Sequence, residues 1–171
     1  TLMSTPVLVF FWSVVSILAL VSFVRLYLWL VARYLHENEG FDELHFATTP
    51  DNWRLALLRF RPQSAPLGGA PLILCHGIVA NHRTFDLNEQ VSLARFLANR
   101  GHDVWVVNLR TIGRSHRVSR HGLTEHRATF DDYATLDAPA LVRTVLAATG
   151  ATAAIWVGHS LGGHVGLAHA A

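Results

Sequence analysis

Ser160 lies at the centre of Gly158-His159-Ser160-Leu161-Gly162, a spacing that suits a nucleophile held on a sharp turn. A serine hydroxyl attacks an acyl carbon when a base takes its proton and donors stabilise the developing oxyanion. Glycines two residues to either side leave room where side chains would collide across a strand-to-helix turn. Residues 153–157 read as the strand before that turn. Gly162-Gly163-His164-Val165-Gly166-Leu167-Ala168 reads as a small-residue helix start able to pack close to a sheet. The N-terminus of such a helix adds backbone N–H groups and a dipole that favour negative charge.

His76-Gly77-Ile78 follows the apolar run 71–75, upstream of the turn. At that place the backbone N–H of Ile78 is expected to join that of Leu161 as the second oxyanion donor. His76, Gly77, Gly158, His159 and Gly162 are supporting residues in this reading. His159 shapes the floor of the pocket. His164, four residues after the serine, projects down the next helical turn rather than over the hydroxyl.

Eleven histidines raise the question of a metal. His116, His121 and His126 recur every five residues, as do His159, His164 and His169. Ligand pairs on one helix face are four residues apart; a five-residue step turns the ligand away by roughly 140°. No cysteine or carboxylate completes a set, so no metal is expected. The stretch 114–127 reads as a solvated loop near the mouth of the site. Cys75, the lone cysteine, lies in an apolar run and is expected to be a buried core thiol.

The positioning elements alternate between strand and helix. Residues 44–48 and 54–60 flank the turn-rich Thr49-Pro50-Asp51-Asn52 and predict an antiparallel hairpin. Residues 63–71 are a loop rich in Pro, Gly and Ser. The short apolar runs 71–75, 103–108 and 153–157 predict strands buried on both faces of a parallel sheet. Between them, 88–99 carries Val91, Leu93, Ala94, Phe96 and Leu97 at helical spacing, and Gly101 follows as a stop. Residues 138–149 carry Leu141, Val142, Val145 and Leu146, with Gly150 as a stop and Asp137 before Pro139 as a start signal. This order predicts an α/β fold with a doubly wound, mostly parallel sheet.

Charged residues make up 15% of the 171-residue chain, below the ~25% usual for soluble domains. Part of the shortfall is the N-terminal stretch. Residues 7–24 are eighteen uncharged residues, a helix of roughly 27 Å, close to the ~30 Å hydrocarbon thickness of a bilayer. Arg25 lies within snorkelling reach of the interface, and Tyr27, Trp29 and Tyr34 form an aromatic collar. A cleaved signal peptide would need a basic start and a small-x-small cleavage site, and neither is visible. Residues 1–34 are therefore expected to be a single-pass anchor, 35–43 a linker and 44–171 the catalytic domain. The arginines flank the C-terminal side of the span, so the positive-inside rule places the domain in the cytoplasm. All fourteen basic residues are arginine; two lie in the first 33 residues, which contain no acid, and the other twelve meet twelve acids. The domain is neutral and has no basic face for nucleic acid.

Leu74-Cys75-His76-Gly77, the loop from Asn108 to Ser115, and Gly158-His159-Ser160-Leu161-Gly162-Gly163 occur in the order and spacing of the α/β-hydrolase superfamily, which the chain resembles from Leu44 to Ala171. Residues 104–110, with Phe130-Asp131-Asp132-Tyr133 and Asp137-Ala138-Pro139-Ala140, resemble its acid-lipase-like and esterase branch. Where the family pattern has Asp and Gly in the second motif, this chain has Asn108 and Thr111. The resemblance implies hydrolysis of a carboxylic, lipidic ester through a Ser160 acyl-enzyme, without a cofactor. It also implies that an acid and a histidine follow the serine along the chain. No Asp or Glu follows Ser160, and only His164 and His169 do. The chain is thus expected to hold the N-terminal part of the domain, truncated after the nucleophile helix and inert alone. Acyl transfer or polyester metabolism with the same serine, and a non-catalytic binding module on the same fold, remain the alternatives.

Overall fold

The computed structural model describes residues 5–37, 40–117 and 128–171. It divides into two compact units, Thr1–Glu39 and Gly40–Ala171.

The first unit contains one helix, α1 (Thr5–Glu37). Within it, Thr5–Arg33 is long and apolar enough to cross a membrane, and its most hydrophobic window is entirely unburied. A signal sequence near an N-terminus passes the same test of length and composition. The Ser13 hydroxyl donates to the Val9 carbonyl at 2.8 Å, which satisfies the one polar atom it would bring into an apolar medium. The helix runs through the first three residues of the expected linker.

The second unit is built on a mixed sheet. Its strands are β1 (Glu43–Thr48), β2 (Trp53–Phe60), β3 (Leu72–Cys75), β4 (Val104–Val107), β5 (His116–Arg117) and β6 (Ile155–Gly158), in the order β1-β2-β4-β3-β6, with β5 on β2. The expected hairpin forms: β1 and β2 pair antiparallel from Glu43 opposite Arg59 to Thr48 opposite Arg54. Strands β4, β3 and β6 run parallel, and β2 joins β4 antiparallel. Three helices cover the sheet: α2 (Leu93–Ala98), α4 (Ala138–Thr149) and α5 (Leu161–Ala170). Alternation along the strands divides the core between two faces. Leu55, Leu57, Ile73, Cys75, Trp105 and Val107 meet Leu141 and Val145 of α4. Leu58, Phe60, Leu72, Leu74, Val104 and Val106 meet Ala94 and Ala98 of α2. A strand flanked by helices on both faces needs apolar residues at every position, and β3 and β4 are buried throughout. Cys75 is fully buried, and burial pushes its thiol up to about 12.

Three expectations need correction. The helix expected over 88–99 is confined to Leu93–Ala98. The Asn88 side chain accepts from the N–H groups of Gln90 and Val91, and the Ser92 side chain accepts from Arg95 N–H, so these short polar side chains hold a turn and a cap in place of helix. Among the described residues the third parallel strand lies at a sheet edge, and its Ile155 and Val157 are exposed rather than buried on both faces. Asp137 is not a start signal. A helical run begins at α3 (Phe130–Asp132), where Thr129 and Asp132 cap reciprocally. It passes through a π turn, Tyr133–Asp137, into α4. Pro139 has no N–H to continue an i to i−4 ladder, and Ala138 N–H instead reaches back to the Tyr133 carbonyl. The other end of α4 follows expectation, with Gly150 left-handed at φ 71°.

Of the stretch read as a solvated loop, 118–127 lies outside the described residues, His121 and His126 included. Its beginning is structured. His116–Arg117 pairs with Trp53 and Arg54 of β2. The buried Ser115 Oγ donates to the Asn108 carbonyl at 2.8 Å and accepts from Ala56 N–H at 2.9 Å.

Candidate active site

Strand β6 is joined to the next helix by two residues, His159 and Ser160. The chain leaves the strand at Gly158, and α5 begins at Leu161. Ser160 takes φ 51° and ψ −118°, a conformation that an L-residue adopts only where surrounding structure enforces it. Several backbone bonds enforce it here: His159 N–H to the Cys75 carbonyl, Gly162 N–H to the His159 carbonyl, and Gly163 N–H to the Ser160 carbonyl, at 2.9 to 3.0 Å. The two flanking glycines have a steric basis. A Cβ on Gly158 would lie 2.3 Å from the Gly162 backbone, and one on Gly162 would lie 2.4 Å from the Cys75 carbonyl oxygen. Trp156 adds a contact from beneath, its indole N–H donating to the Gly162 carbonyl at 2.8 Å while Gly166 leaves space for its ring.

The end of β3 meets this turn. A Cβ on Gly77 would lie 3.2 Å from Ser160 Cβ and 3.0 Å from His159 Nδ1, so the two glycine-flanked segments touch. Ile78 follows immediately and is largely exposed. Leu161 is half-buried and packs its side chain on the core beneath the sheet. His159 is exposed beside Gly77, and the exposed His164 bonds through Nδ1 to the Ser160 carbonyl at 3.0 Å.

His76 ties this junction to the neighbouring loop. Its Nε2 accepts from Leu109 N–H at 3.2 Å, which leaves Nδ1 to carry the proton donated to the Gly77 carbonyl at 2.7 Å. The ring is buried, and burial lowers its pKa. A histidine that folds neutral below its unfolded value of ~6.5 takes up protons more readily when unfolded. Its contribution to stability is therefore complete above about pH 6.5 and is lost as the pH falls through the folded value. The denaturation midpoint of the chain is expected to drop between about pH 7 and pH 5, with a shallower drop in His76→Gln. Equal slopes in the two proteins would exclude His76 as the cause.

The loop after β4 is the part the sequence described least well. Asn108 is buried; its Oδ1 accepts from His82 N–H at 2.9 Å, and its Nδ2 lies 3.2 Å from His82 Nδ1. A neutral amide can both accept and donate there. Thr111 occupies a left-handed conformation at φ 67°, which explains why a glycine suits that position.

The buried pair Arg110 and Asp137 carries no signal in the spacing of either motif. Arg110 donates to Asp137 Oδ1 from Nε at 2.9 Å and from Nη2 at 2.7 Å, and its backbone N–H reaches Oδ2 at 3.0 Å. Asp51 accepts from Nη1 at 2.9 Å on the outer side. Burial pushes the Asp137 carboxyl up, against the guanidinium and backbone N–H that favour its charge. An acid between apolar stretches of a helix was the only hint of a buried partner.

Comparison with known proteins gives the same architecture. Residues 70–171 match the family model described as alpha/beta hydrolase fold. Lipase 1 of Drosophila melanogaster is 35% identical over 141 residues, 78% of this chain and 29% of that protein. Human lysosomal acid lipase/cholesteryl ester hydrolase is 33% identical over 133 residues, 73% of this chain and 33% of that protein. The chain thus spans about a third of the length of these relatives. Among solved structures, an epoxide hydrolase variant from Vigna radiata superposes with a TM-score of 0.52 at 14% identity, over 74% of this chain and 33% of that one. A laboratory-evolved potato epoxide hydrolase gives 0.50 at 16% identity, over 77% and 35%. At such identities the likeness is one of fold.

Proposed function

The chain belongs to the α/β-hydrolase fold family, and from that premise we propose that it carries the nucleophile of a membrane-anchored serine hydrolase acting on a lipidic carboxylic ester. The observation behind this reading is the strained Ser160 turn held against Gly77. Ser160 Oγ attacks the ester carbonyl carbon as its proton passes to a histidine. The carbonyl oxygen becomes an oxyanion facing the N–H groups of Ile78 and Leu161, with the N-terminus of α5 behind it. Collapse breaks the bond to the alcohol, which takes the proton and leaves an acyl-serine. Water then cleaves the acyl-serine with the same histidine as base.

The acid and the histidine are assigned to sequence outside these 171 residues, so the chain alone lacks a base to activate the serine. The relatives bear the names lipase and cholesteryl ester hydrolase, which supports a lipid ester as substrate. A helix of the length and composition of Thr5–Arg33 would hold the domain where such substrates partition, and its arginines favour a cytoplasmic domain.

Labelling with a fluorophosphonate tests the reading. A full-length protein containing this chain is expected to become labelled, Ser160→Ala to lose the label entirely, and the 171-residue chain to react orders of magnitude more slowly, as triad deletions do. Labelling that survives Ser160→Ala would remove Ser160 from the mechanism.

A further inference from the structure

The segment that carries Ile78 is held at both ends by consecutive residues of the loop after β4. At the near end, His76 Nε2 accepts from Leu109 N–H at 3.2 Å while Nδ1 donates to the Gly77 carbonyl at 2.7 Å. At the far end, His82 N–H donates to Asn108 Oδ1 at 2.9 Å, and Asn108 Nδ2 lies 3.2 Å from His82 Nδ1. His76, His82 and Asn108 are all buried. Five residues separate the two histidines, and the middle one, Val79, takes a left-handed φ of 55°. A β-branched residue is an outlier there, because its Cβ crowds the following carbonyl oxygen. Such a turn persists only where the surrounding structure imposes it.

Asn108 is itself firmly placed. Its N–H donates to the Ala56 carbonyl of β2 at 2.9 Å, and its carbonyl accepts from the Ser115 hydroxyl at 2.8 Å. Gly113 leaves room for the amide, since a Cβ there would lie 2.6 Å from Asn108 Nδ2. The following N–H groups, of Leu109 and Arg110, go to His76 and Asp137. The backbone of the loop is thus braced by the sheet and the π turn, and the Asn108 side chain is directed to His82. Beyond His82 the chain is fixed again, with Thr84 N–H on the Asn81 carbonyl and Phe85 N–H on the His82 carbonyl, both at 3.0 Å. The strained turn therefore lies between two anchors, one of which, Gly77, touches Ser160.

We propose that Asn108 is a positioning residue for the oxyanion hole: by holding His82 it keeps the strained Ile78–Val79 turn in the conformation that aims the Ile78 N–H at the developing charge. The proposal rests on the reading of Ser160 as nucleophile and Ile78 as donor. With Gly77 and His82 both anchored, Val79 cannot leave the left-handed region unless one of the buried bonds breaks. Releasing His82 lets the valine relax to negative φ, and the adjoining Ile78 peptide turns with it. A donor aimed before the charge forms needs no reorganisation during the reaction. Its loss is felt in the transition state and so falls on kcat rather than on KM.

The test uses a full-length protein containing this chain and a soluble p-nitrophenyl ester, with kcat expressed per site that a fluorophosphonate labels at completion. Asn108→Ala is expected to lower kcat roughly 10- to 100-fold, part of the ~10²–10³ that losing a whole donor costs, with KM changed less than about twofold. Asn108→Asp keeps an acceptor for His82 N–H and should hold kcat within about fivefold of the parent. Val79→Gly supplies the decisive background, because glycine occupies the left-handed region without strain. Alone it should leave kcat within about threefold, and in its presence Asn108→Ala should cost less than about fivefold, since nothing is left to relax. Asn108→Ser is read in the same way if the alanine variant yields no labelled sites. Fewer labelled sites with kcat per site unchanged would mean a role in folding only and overturns the proposal. So does equal kcat in the alanine and aspartate variants, or an Asn108→Ala loss that is the same with Val79 and with glycine there. A parent that neither labels nor turns over removes the hydrolase reading itself, whereas labelling lost only in Ser160→Ala leaves that reading in place whatever Asn108 does.

Discussion

Asp137→Ala is expected to destabilise the sheet-bearing unit by about 3–5 kcal/mol, enough to threaten the fold of a typical domain. The guanidinium of Arg110 is buried and remains charged at any accessible pH. It gives two donors to Asp137, whose other oxygen accepts the Arg110 backbone N–H, so removing the carboxylate leaves one charge and one amide without their main partner. Asp51 contacts the same guanidinium from a site about one third exposed, where solvent screening reduces the interaction; Asp51→Asn should cost only about 1 kcal/mol. The ordering of the two variants in a urea titration is the check. A loss for Asp137→Ala no larger than that for Asp51→Asn would show that the buried pair is not what secures the loop after β4. Removing both charges as Arg110→Met with Asp137→Leu should recover most of the loss, because the cost lies in breaking the pair rather than in lacking it.

Gly162→Ala is expected to cost about 3 kcal/mol, at the upper end of the overpacking range, and to abolish labelling at Ser160. An alanine inside a helix normally gains about 1 kcal/mol over glycine. Here the added methyl would meet the Cys75 carbonyl oxygen at 2.4 Å and the His76 carbonyl oxygen at 2.6 Å, both backbone atoms of the central strand and its exit. Neither can rotate aside, so α5 must lift from the sheet and carry Ser160 with it. Gly163→Ala is the contrast: its methyl would come no closer than 3.3 Å to the Gly158 carbonyl oxygen, a contact that a few tenths of an ångström relieves. Its stability should lie within about 1 kcal/mol of the parent, with labelling preserved. Equal stability losses in the two variants would mean that helix propensity, not contact with the sheet, decides the effect.

The sequence made the nucleophile turn legible because its requirements are local. Residues 158–162 specify a turn too tight for side chains, and the apolar runs ahead of Ser160 and His76 specify strands that end beside each other. The hairpin and the C-terminal limit of α4 were legible for the same reason, through a turn tetrapeptide and Gly150. What remained hidden depends on partners distant in sequence. Asp137 looked like a helix start because Pro139 follows it; its actual partner is 27 residues away in a loop. The pattern at Val91, Leu93 and Phe96 suggested a core-facing helix, yet the neighbouring Asn88 and Ser92 side chains shorten that helix and Ala94 and Ala98 take its buried face. The edge position of β6 depends on strand order, which periodicity does not encode.

That edge also affects how the protein behaves outside its native setting. β6 leaves one row of backbone N–H and C=O groups without a neighbouring strand among the described residues, flanked by the exposed Ile155 and Val157, and Leu167 is open on α5 above it. An edge strand without charge or proline lacks two of the features that ward off pairing with another chain, and its four-residue length is what limits such pairing. Handled as residues 40–171 alone, the protein would be open to intermolecular sheet extension at this edge, at a rate held down by the shortness of the strand.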